Sequence, residues 1–467
     1  MQYISTRGAA PALSFTDTLL AGLARDGGLY VPGSLPQWQP GDIAALSGQA
    51  YKDAAVRVME PFVEGAFSAN DFEAMAAAAY GTFRHEAVTP LSQIGDNLFL
   101  LELFHGPTLA FKDVAMQLLG RMMDHALKAR GERATVVGAT SGDTGAAAIE
   151  AFRGLDQVDV FILYPNGRVS DVQRRQMTCV PDDNIHTIAL EGTFDDCQAI
   201  VKGMFNHHRF RDGLQLCGVN SINWARVMAQ MVYYFTSAVV LGAPHRKVSF
   251  TVPTGNFGDI LAGYYAARMG LPVERLVIAT NENDILARTL ETGAYETRSV
   301  TPTQSPSMDI QVSSNFERLL FDAAQGNPED VNAYMNVLAQ SGRFEVKASH
   351  LQAIRAHFDA YRTGETGTGK EIARLHRQCG ILIDPHTAVG VHAARKALAG
   401  NPVTPMVVLS TAHPAKFPEA VKKASGVEAP LPAHLADIFD RQERFTIVEN
   451  DQAAVEQFIR ERARATS

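Results

Sequence analysis

"TVPTGNFGDILAGYYAARMG", residues 251–270, starts as an apolar strand, crosses a short loop with two glycines and enters an amphipathic helix. Strand, tight loop and helix in that order are one step of an α/β chain, and the step repeats on either side. The runs "LFLLEL", "ATVVGA", "VDVFILYP", "KVSFTVPT", "RLVIAT" and "PMVVLST" are rich in Val, Ile and Leu and alternate with longer helical patterns from about residue 97 onward. Near-continuous apolar strands separated by helices predict an α/β fold with parallel sheets covered on both faces.

The first ninety or so residues have a different rhythm. "SFTDTLLAGLA" and "DAAVRVMEPFVEGAF" are helical patterns separated by the turn-rich "DGGLYVPGSLPQWQPGD", which reads as an amino-terminal domain over residues 1–92. An α/β body is expected over 93–428, and a carboxy-terminal extension over 429–467 packs on it. Within the body, helical patterns dominate between about residues 313 and 380, including "DVNAYMNVLAQSG" and "SHLQAIRAHFDAYRTG". "PEAVKKASG" and "QAAVEQFIRERARATS" read as surface helices.

A chain of 467 residues with 46% hydrophobic and 20% charged residues has the composition of a soluble enzyme of two or three domains. Its net charge is −8, with lysine and arginine spread along the chain, so a nucleic-acid partner is not expected. No window reaches the roughly 18 apolar residues of a membrane span, and "MQYISTRGAAPALSF" carries no basic segment leading into an apolar one; the expectation is a cytoplasmic protein with no membrane partner. Cys179, Cys197, Cys217 and Cys379 form no C-x-x-C pair, and the 14 histidines, His386 and His392 among them, show no ligand spacing. Reduced thiols and no metal are expected.

"GETGTGKE", residues 364–371, approaches the G-x-x-x-x-G-K-[ST] phosphate loop, but Glu371 stands where a hydroxyl would hold magnesium. A helical pattern also precedes it, where a nucleotide loop follows a strand. It reads as a helix C-cap turn leading into the next helix.

Six stretches carry chemistry. In residues 251–270, Gly255 and Gly258 let the backbone approach a ligand, and the amides at the helix start favour an anion; the same residues also serve a plain turn. "GATSGDTGAAAIEAF", residues 138–152, puts Thr140, Ser141 and Thr144 beside the first turn of an alanine-rich helix, where small polar groups suit a carboxylate. Capping by Ser141, Asp143 or Thr144 accounts for them as well. In "FHGPTLAFKDVAMQLLG", residues 104–120, Lys112 sits in apolar surroundings, which lower its pKa and free the amine for Schiff-base chemistry. The alternative is a lysine that snorkels and pairs with Asp113. Together, a candidate Schiff-base lysine, a phosphate cup and a carboxylate cup suit pyridoxal 5′-phosphate acting on an amino acid. Ser410 and Thr411 follow the last strand, where a neutral hydroxyl can face a pyridine nitrogen or cap the helix after Pro414. Arg168, Ser170, Arg174, Arg175, Asn223 and Arg226 lie near predicted strand ends and would suit a substrate phosphate, or are solvated.

Those residues resemble one family. "HGPTLAFKD" is similar to the cofactor-lysine motif of the threonine synthases, specifically the longer microbial and fungal form. "MQYISTRG", "LARDGGLYVP", "GATSGDTGAAA", "YPNGRVSDVQRRQM", "NSINWARV", "PTGNFGD", "SPSMDI" and "STAHPAKFPEAV" extend the resemblance over nearly the whole chain. It implies a fold-type II pyridoxal-phosphate enzyme, the fold shared with tryptophan synthase β and serine dehydratases, with two lobes around the cofactor. By resemblance Lys112 would be the covalent anchor and catalytic residue, and Gly255, Asn256, Phe257, Gly258 and Asp259 would form the cofactor phosphate cup. Thr411 would bond the pyridine nitrogen. Thr140, Ser141, Asp143 and Thr144 would lie by the substrate carboxylate and the cofactor's phenolic oxygen. Ser170, Asn223 and one or more arginines, Arg168 or Arg226 among them, would hold the substrate phosphate. The implied reaction converts O-phospho-L-homoserine and water to L-threonine and phosphate, in a monomer or homodimer.

Overall fold

The computed structural model describes residues 1–140, 142–218 and 220–465. β1 (Tyr3–Ser5) and β2 (Tyr30–Pro32) form an antiparallel pair at the amino terminus. β3 (Leu91–Gly95) and β4 (Leu98–Glu102) follow, then β5 (Ala134–Ala139), β6 (Val158–Pro165), β7 (Ile185–Leu190) and β8 (Leu216–Cys217). β9 (Val248–Pro253), β10 (Val273–Thr280), the short antiparallel pair β11 (Ala294–Glu296) and β12 (Arg343–Glu345), β13 (Phe358–Arg362), β14 (Met406–Ser410) and β15 (Thr446–Val448) complete the strands.

Two sheets make the two lobes. One has the order β13-β10-β9-β14-β4-β3 and is parallel except for its edge strand β3. The other, β15-β7-β6-β5-β8, is parallel throughout. Every residue of β6 and of β9 is buried, as expected of strands with helices on both faces. The chain leaves the first sheet after β4, builds β5 to β8 of the second, and returns to β9 through the helix Trp224–Val240. That helix is apolar and buried almost all round, because it packs on the helices Lys112–Arg130, Gly258–Arg268 and Tyr51–Val63 together. It is the shared axle of the molecule.

The amino-terminal segment is fixed to this axle: the rings of Tyr3 and Phe62 lie 6.1 and 5.8 Å from that of Trp224. The position 92/93, expected as a domain boundary, falls inside β3. At the other end β15 extends the second sheet alongside β7, and the Arg464 side chain donates to Asp159 at 2.7 Å. The four cysteines are free thiols. Among the described residues no helix is long and apolar enough to cross a membrane.

Two expectations from the sequence need correction. "SHLQAIRAHFDAYRTG" is not helical throughout: the helix Ala348–Arg355 stops and β13 follows, in register with β10 through Val277 and Asp359. A sheet edge in need of a partner overrides the local pattern. Consequently a strand, not a helix, precedes "GETGTGKE". The stretch forms no C-cap turn either, because Gly364 caps the start of the helix Glu365–Cys379, which runs straight through it.

Candidate functional site

The topology brings the carboxyl ends of β4, β5, β9 and β14 to one place, where open parallel sheets hold ligands. After β4 the chain makes a turn over Gly106–Ala110 and enters the helix Lys112–Arg130 at Lys112. Asp113 builds that turn. Its Oδ2 accepts the Thr108 amide at 2.8 Å and its Oδ1 accepts the Thr108 hydroxyl at 2.7 Å, so it does not serve Lys112 as a partner. Burial raises its carboxyl to about 6 against these hydrogen bonds.

The Lys112 ammonium instead lies 3.5 Å from Asp143 Oδ2, on the first turn of the helix Asp143–Phe152. Asp143 is crowded with donors. Lys416 Nζ is 2.7 Å from its Oδ1, Gln173 Nε2 donates to the same oxygen at 3.0 Å, and the Ser307 hydroxyl donates to Oδ2 at 3.4 Å. Burial pushes the Asp143 carboxyl up, but the Lys416 and Lys112 charges outweigh it and hold the group well below the usual carboxylate range. Lys112 goes down: burial disfavours its charge, and the nearby Lys416 and Arg226 cations add to that against the attraction of Asp143.

After β9, the turn through Gly255 and Phe257 is held by its carbonyls. Gly255 O accepts the Ser313 hydroxyl at 2.6 Å and Asn256 O accepts the Asn315 amide at 3.1 Å. Phe257 adopts a left-handed backbone, φ 64°, uncommon for an aromatic residue, and its ring is anchored 5.5 Å from Phe316. The first amides of the helix Gly258–Arg268 have no intrahelical acceptors and carry the positive end of its dipole. Gly255 is obligatory by contact: a Cβ there would stand 2.7 Å from the Ser307 carbonyl oxygen. Asp259, in the first turn, accepts the Tyr233 and Tyr234 hydroxyls on Oδ1 at 2.5 and 3.0 Å. Burial lifts its carboxyl to about 7 despite these bonds.

Thr140, after β5, accepts the Gly142 and Gly145 amides at 2.9 Å each and so caps the next helix. Ser141 lies outside the described residues. Thr411, after β14, receives the Phe111 amide on its carbonyl at 2.8 Å, which ties it to the turn carrying Lys112. These elements enclose one cavity of about 470 Å³, whose wall includes Lys112, Thr140, Asp143, Thr144, the stretch Gly255–Asp259, Arg226 and Thr411.

Three family models cover the chain: "Threonine synthase N terminus" over residues 2–80, "Pyridoxal-phosphate dependent enzyme" over 82–412 and "Threonine synthase, C-terminal" over 387–459. The chain belongs to the threonine synthase family. A threonine synthase of Pseudomonas aeruginosa is 55% identical over 98% of each chain. The crystal structure of pyridoxal-phosphate-bound threonine synthase from Brucella melitensis matches with a TM-score of 0.98 at 60% identity, covering both chains fully. Yeast threonine synthase matches at 0.94 with 41% identity, over 99% of this chain and 98% of its own. A threonine synthase of this family works with pyridoxal 5′-phosphate, and the residues here fit that cofactor. A primary amine lies buried in the wall, a helix start offers amides to a phosphate, the backbone at Gly255 is packed too closely for any side chain, and a neutral hydroxyl follows β14.

Three residues considered for the substrate phosphate of a threonine synthase do not line the cavity. Arg168 is exposed on the turn after β6. Ser170 caps the helix Asp171–Thr178, and Asn223 caps Trp224–Val240 while its amide donates to the Leu19 carbonyl at 2.9 Å. Arg174 and Arg175 reach the carboxy-terminal segment, Arg174 pairing with Glu443 at 2.8 Å and Arg175 donating to the Arg441 carbonyl at 3.0 Å. Arg226 is the buried cation that remains, brought down to about 10 by burial.

Sequence reasoning missed Lys416, Gln173, Ser307 and His386. Lys416 carries the same signal as Lys112, a lysine in an apolar run behind a His-Pro turn, "AHPAKF". His386 Nδ1 meets Asp384 Oδ2 at 2.6 Å and its Nε2 accepts the Ser307 amide at 3.2 Å, which clamps the Pro306–Met308 turn over Gly255. No pattern in the sequence announces that contact.

Proposed function

We propose that this protein converts O-phospho-L-homoserine and water to L-threonine and phosphate, with the residues named below in the roles given. One observation carries the reading. A desolvated lysine, Lys112, faces a helix-start amide cup across a single cavity that also holds the buried cation Arg226. Pyridoxal 5′-phosphate, when bound, supplies an electron sink that acidifies the C–H bonds next to the substrate nitrogen.

The chain's residues do the rest. The amides of Gly255–Gly258 bind the cofactor phosphate without adding charge. The Thr411 hydroxyl meets the pyridine nitrogen as a neutral partner. Thr140 and Thr144 receive the substrate carboxylate at the start of the helix Asp143–Phe152. Arg226 faces the substrate phosphate, while Ser170 and Asn223 act through the helices they cap. Lys112, once displaced from the cofactor, is an amine beside the substrate α-carbon. Its Nζ takes the α proton and then a β proton as phosphate leaves the γ-carbon, delivers one proton to the γ-carbon to make the methyl group, and returns the other to the α-carbon after the hydroxyl of water adds at the β-carbon, water's remaining proton going to the released phosphate. Asp143 keeps that nitrogen in place. We further place the enzyme in the cytoplasm, a reading supported by its free thiols.

Incubating the cofactor-loaded protein with O-phospho-L-homoserine and quantifying phosphate and threonine together tests this. Equal release of both is the expected outcome. Phosphate accompanied by a 2-oxo acid would point to a lyase, and neither product from a folded, cofactor-bearing sample would overturn the reading.

A further inference from the structure

Lys416 ends the short turn Pro414–Lys416 behind β14 and is 0% exposed. Its ammonium has two acceptors, Asp143 Oδ1 at 2.7 Å and the Thr108 carbonyl at 2.8 Å. Asp143 therefore stands between two ammonium groups, with Lys416 close on one oxygen and Lys112 farther off, at 3.5 Å, on the other. A single carboxylate neutralises a single cation. Burying a second lysine charge is costly unless it is fully paired, and the lysine that is fully paired here is the one with no access to the cavity.

We propose that Lys416 is a positioning residue for Lys112: it neutralises and orients the Asp143 carboxylate, so that Lys112 stands beside that carboxylate as a free amine. The proposal rests on Lys112 as cofactor anchor and base. The division of labour follows from the contacts. With Lys416 in place, the pair Lys416–Asp143 has no net charge and a fixed direction, and Lys112 has a hydrogen-bond partner that does not demand its proton. Without Lys416, Asp143 would be an uncompensated buried anion and would draw a proton onto Lys112. The other groups near this trio leave that logic intact. Arg226 adds positive charge near Lys112, Asp113 is occupied by Thr108, Asp259 by two tyrosines, and Gln173 and Ser307 approach Asp143 as neutral donors.

Removing a unit charge one carboxylate's breadth away, at an effective dielectric of about 20, shifts the Lys112 titration by about one to two pH units. The test uses the full chain freed of cofactor and then mixed with saturating pyridoxal 5′-phosphate. The first-order growth of the visible band across a pH series reports the fraction of Lys112 present as amine. Lys416→Met should raise the midpoint of that profile by about one to two units, slowing capture near neutral pH by about 10- to 100-fold. Circular dichroism and final cofactor content should stay as in the parent. Lys416→Arg keeps the charge and should keep the midpoint. A folded Lys416→Met chain with the parent midpoint overturns the proposal, since a merely structural lysine would not move it. If Lys416→Met does not fold, Lys416→Gln, which keeps a donor for Asp143 Oδ1 but no charge, takes its place. It must have the higher midpoint, and a folded Lys416→Gln chain with the parent midpoint overturns the proposal. Capture requires only Lys112 and the cofactor, so a failure of the threonine-forming reaction shows separately in the product assay.

Discussion

Replacing Gly255 with alanine would set a methyl group 2.7 Å from the Ser307 carbonyl oxygen and 3.4 Å from Met308 Cα. Neither neighbour can easily retreat. The Ser307 amide is bonded to His386 Nε2 at 3.2 Å, the Met308 amide to the Ser305 carbonyl at 3.0 Å, and the Gly255 carbonyl is held by Ser313. Relief must come from the loop that carries the amide cup. A cofactor-free loop can shift, whereas a loop holding the cofactor phosphate has to keep its amides in place, so the overpacking cost of about 1–3 kcal/mol falls on binding. That corresponds to cofactor affinity weakened by roughly 5- to 150-fold. Equilibrium dialysis of pyridoxal 5′-phosphate against parent and Gly255→Ala measures it. Gly369→Ala is the control: this glycine lies inside the helix Glu365–Cys379 with nothing within 4 Å of an added Cβ, and alanine there should stabilise by about 0.5–1 kcal/mol. A Gly255→Ala affinity within two-fold of the parent would refute the placement of the phosphate cup.

Lys112→Ala should abolish the visible cofactor band and lower turnover by about 10⁴-fold or more, while thermal unfolding of the cofactor-free chain changes little, because Asp143 keeps Lys416; absorbance, product release and calorimetry check the three parts. Asp259 has a folded-state value raised to about 7, above the ordinary range it has when unfolded. The fold therefore binds that proton more tightly, and the contribution is fully present below the unfolded value and is lost as pH rises toward 7. Denaturant unfolding of cofactor-free parent and Asp259→Asn at both ends of that window should show a flatter pH dependence in the variant. Arg226→Lys keeps a cation but loses the two-pronged donor geometry, so KM for O-phospho-L-homoserine should rise by about 10-fold or more while the visible band of the resting enzyme is unchanged; steady-state kinetics and a spectrum decide it.

The sequence read most clearly where one stretch of chain meets its own requirement. β5, β6, β9, β10 and β14 were legible because each carries a largely apolar run, as a doubly covered strand must. β13 was not, since "FDAYR" is a strand only by virtue of β10 beside it. The site divides in the same way. Lys112, Gly255 and Thr411 stand out locally, as a charge in an apolar run, a glycine at a strand end and a hydroxyl after a strand. Asp143 and Lys416 lie far apart in the chain, and only the convergence of β5 and β14 makes them a pair. Arg174 and Arg175 misled in the opposite sense: they follow a strand end, as a phosphate-binding arginine would, yet their partners belong to the carboxy-terminal segment.

The cavity must hold two phosphates with opposite fates. In the proposed function the cofactor phosphate stays, and the chain meets it with amides and a helix dipole, which bind an anion without a titrating cation of their own. The substrate phosphate has to leave once its C–O bond breaks, and the group proposed to hold it is Arg226, which binds through charge. Amides are insensitive to pH and weakly screened when buried, whereas a cation's hold on a departing anion weakens with salt wherever water enters. High ionic strength should therefore raise KM for O-phospho-L-homoserine and speed product loss while leaving cofactor retention nearly constant. Loss of cofactor with salt in parallel with substrate would show that one cationic field, rather than two separate devices, holds both anions.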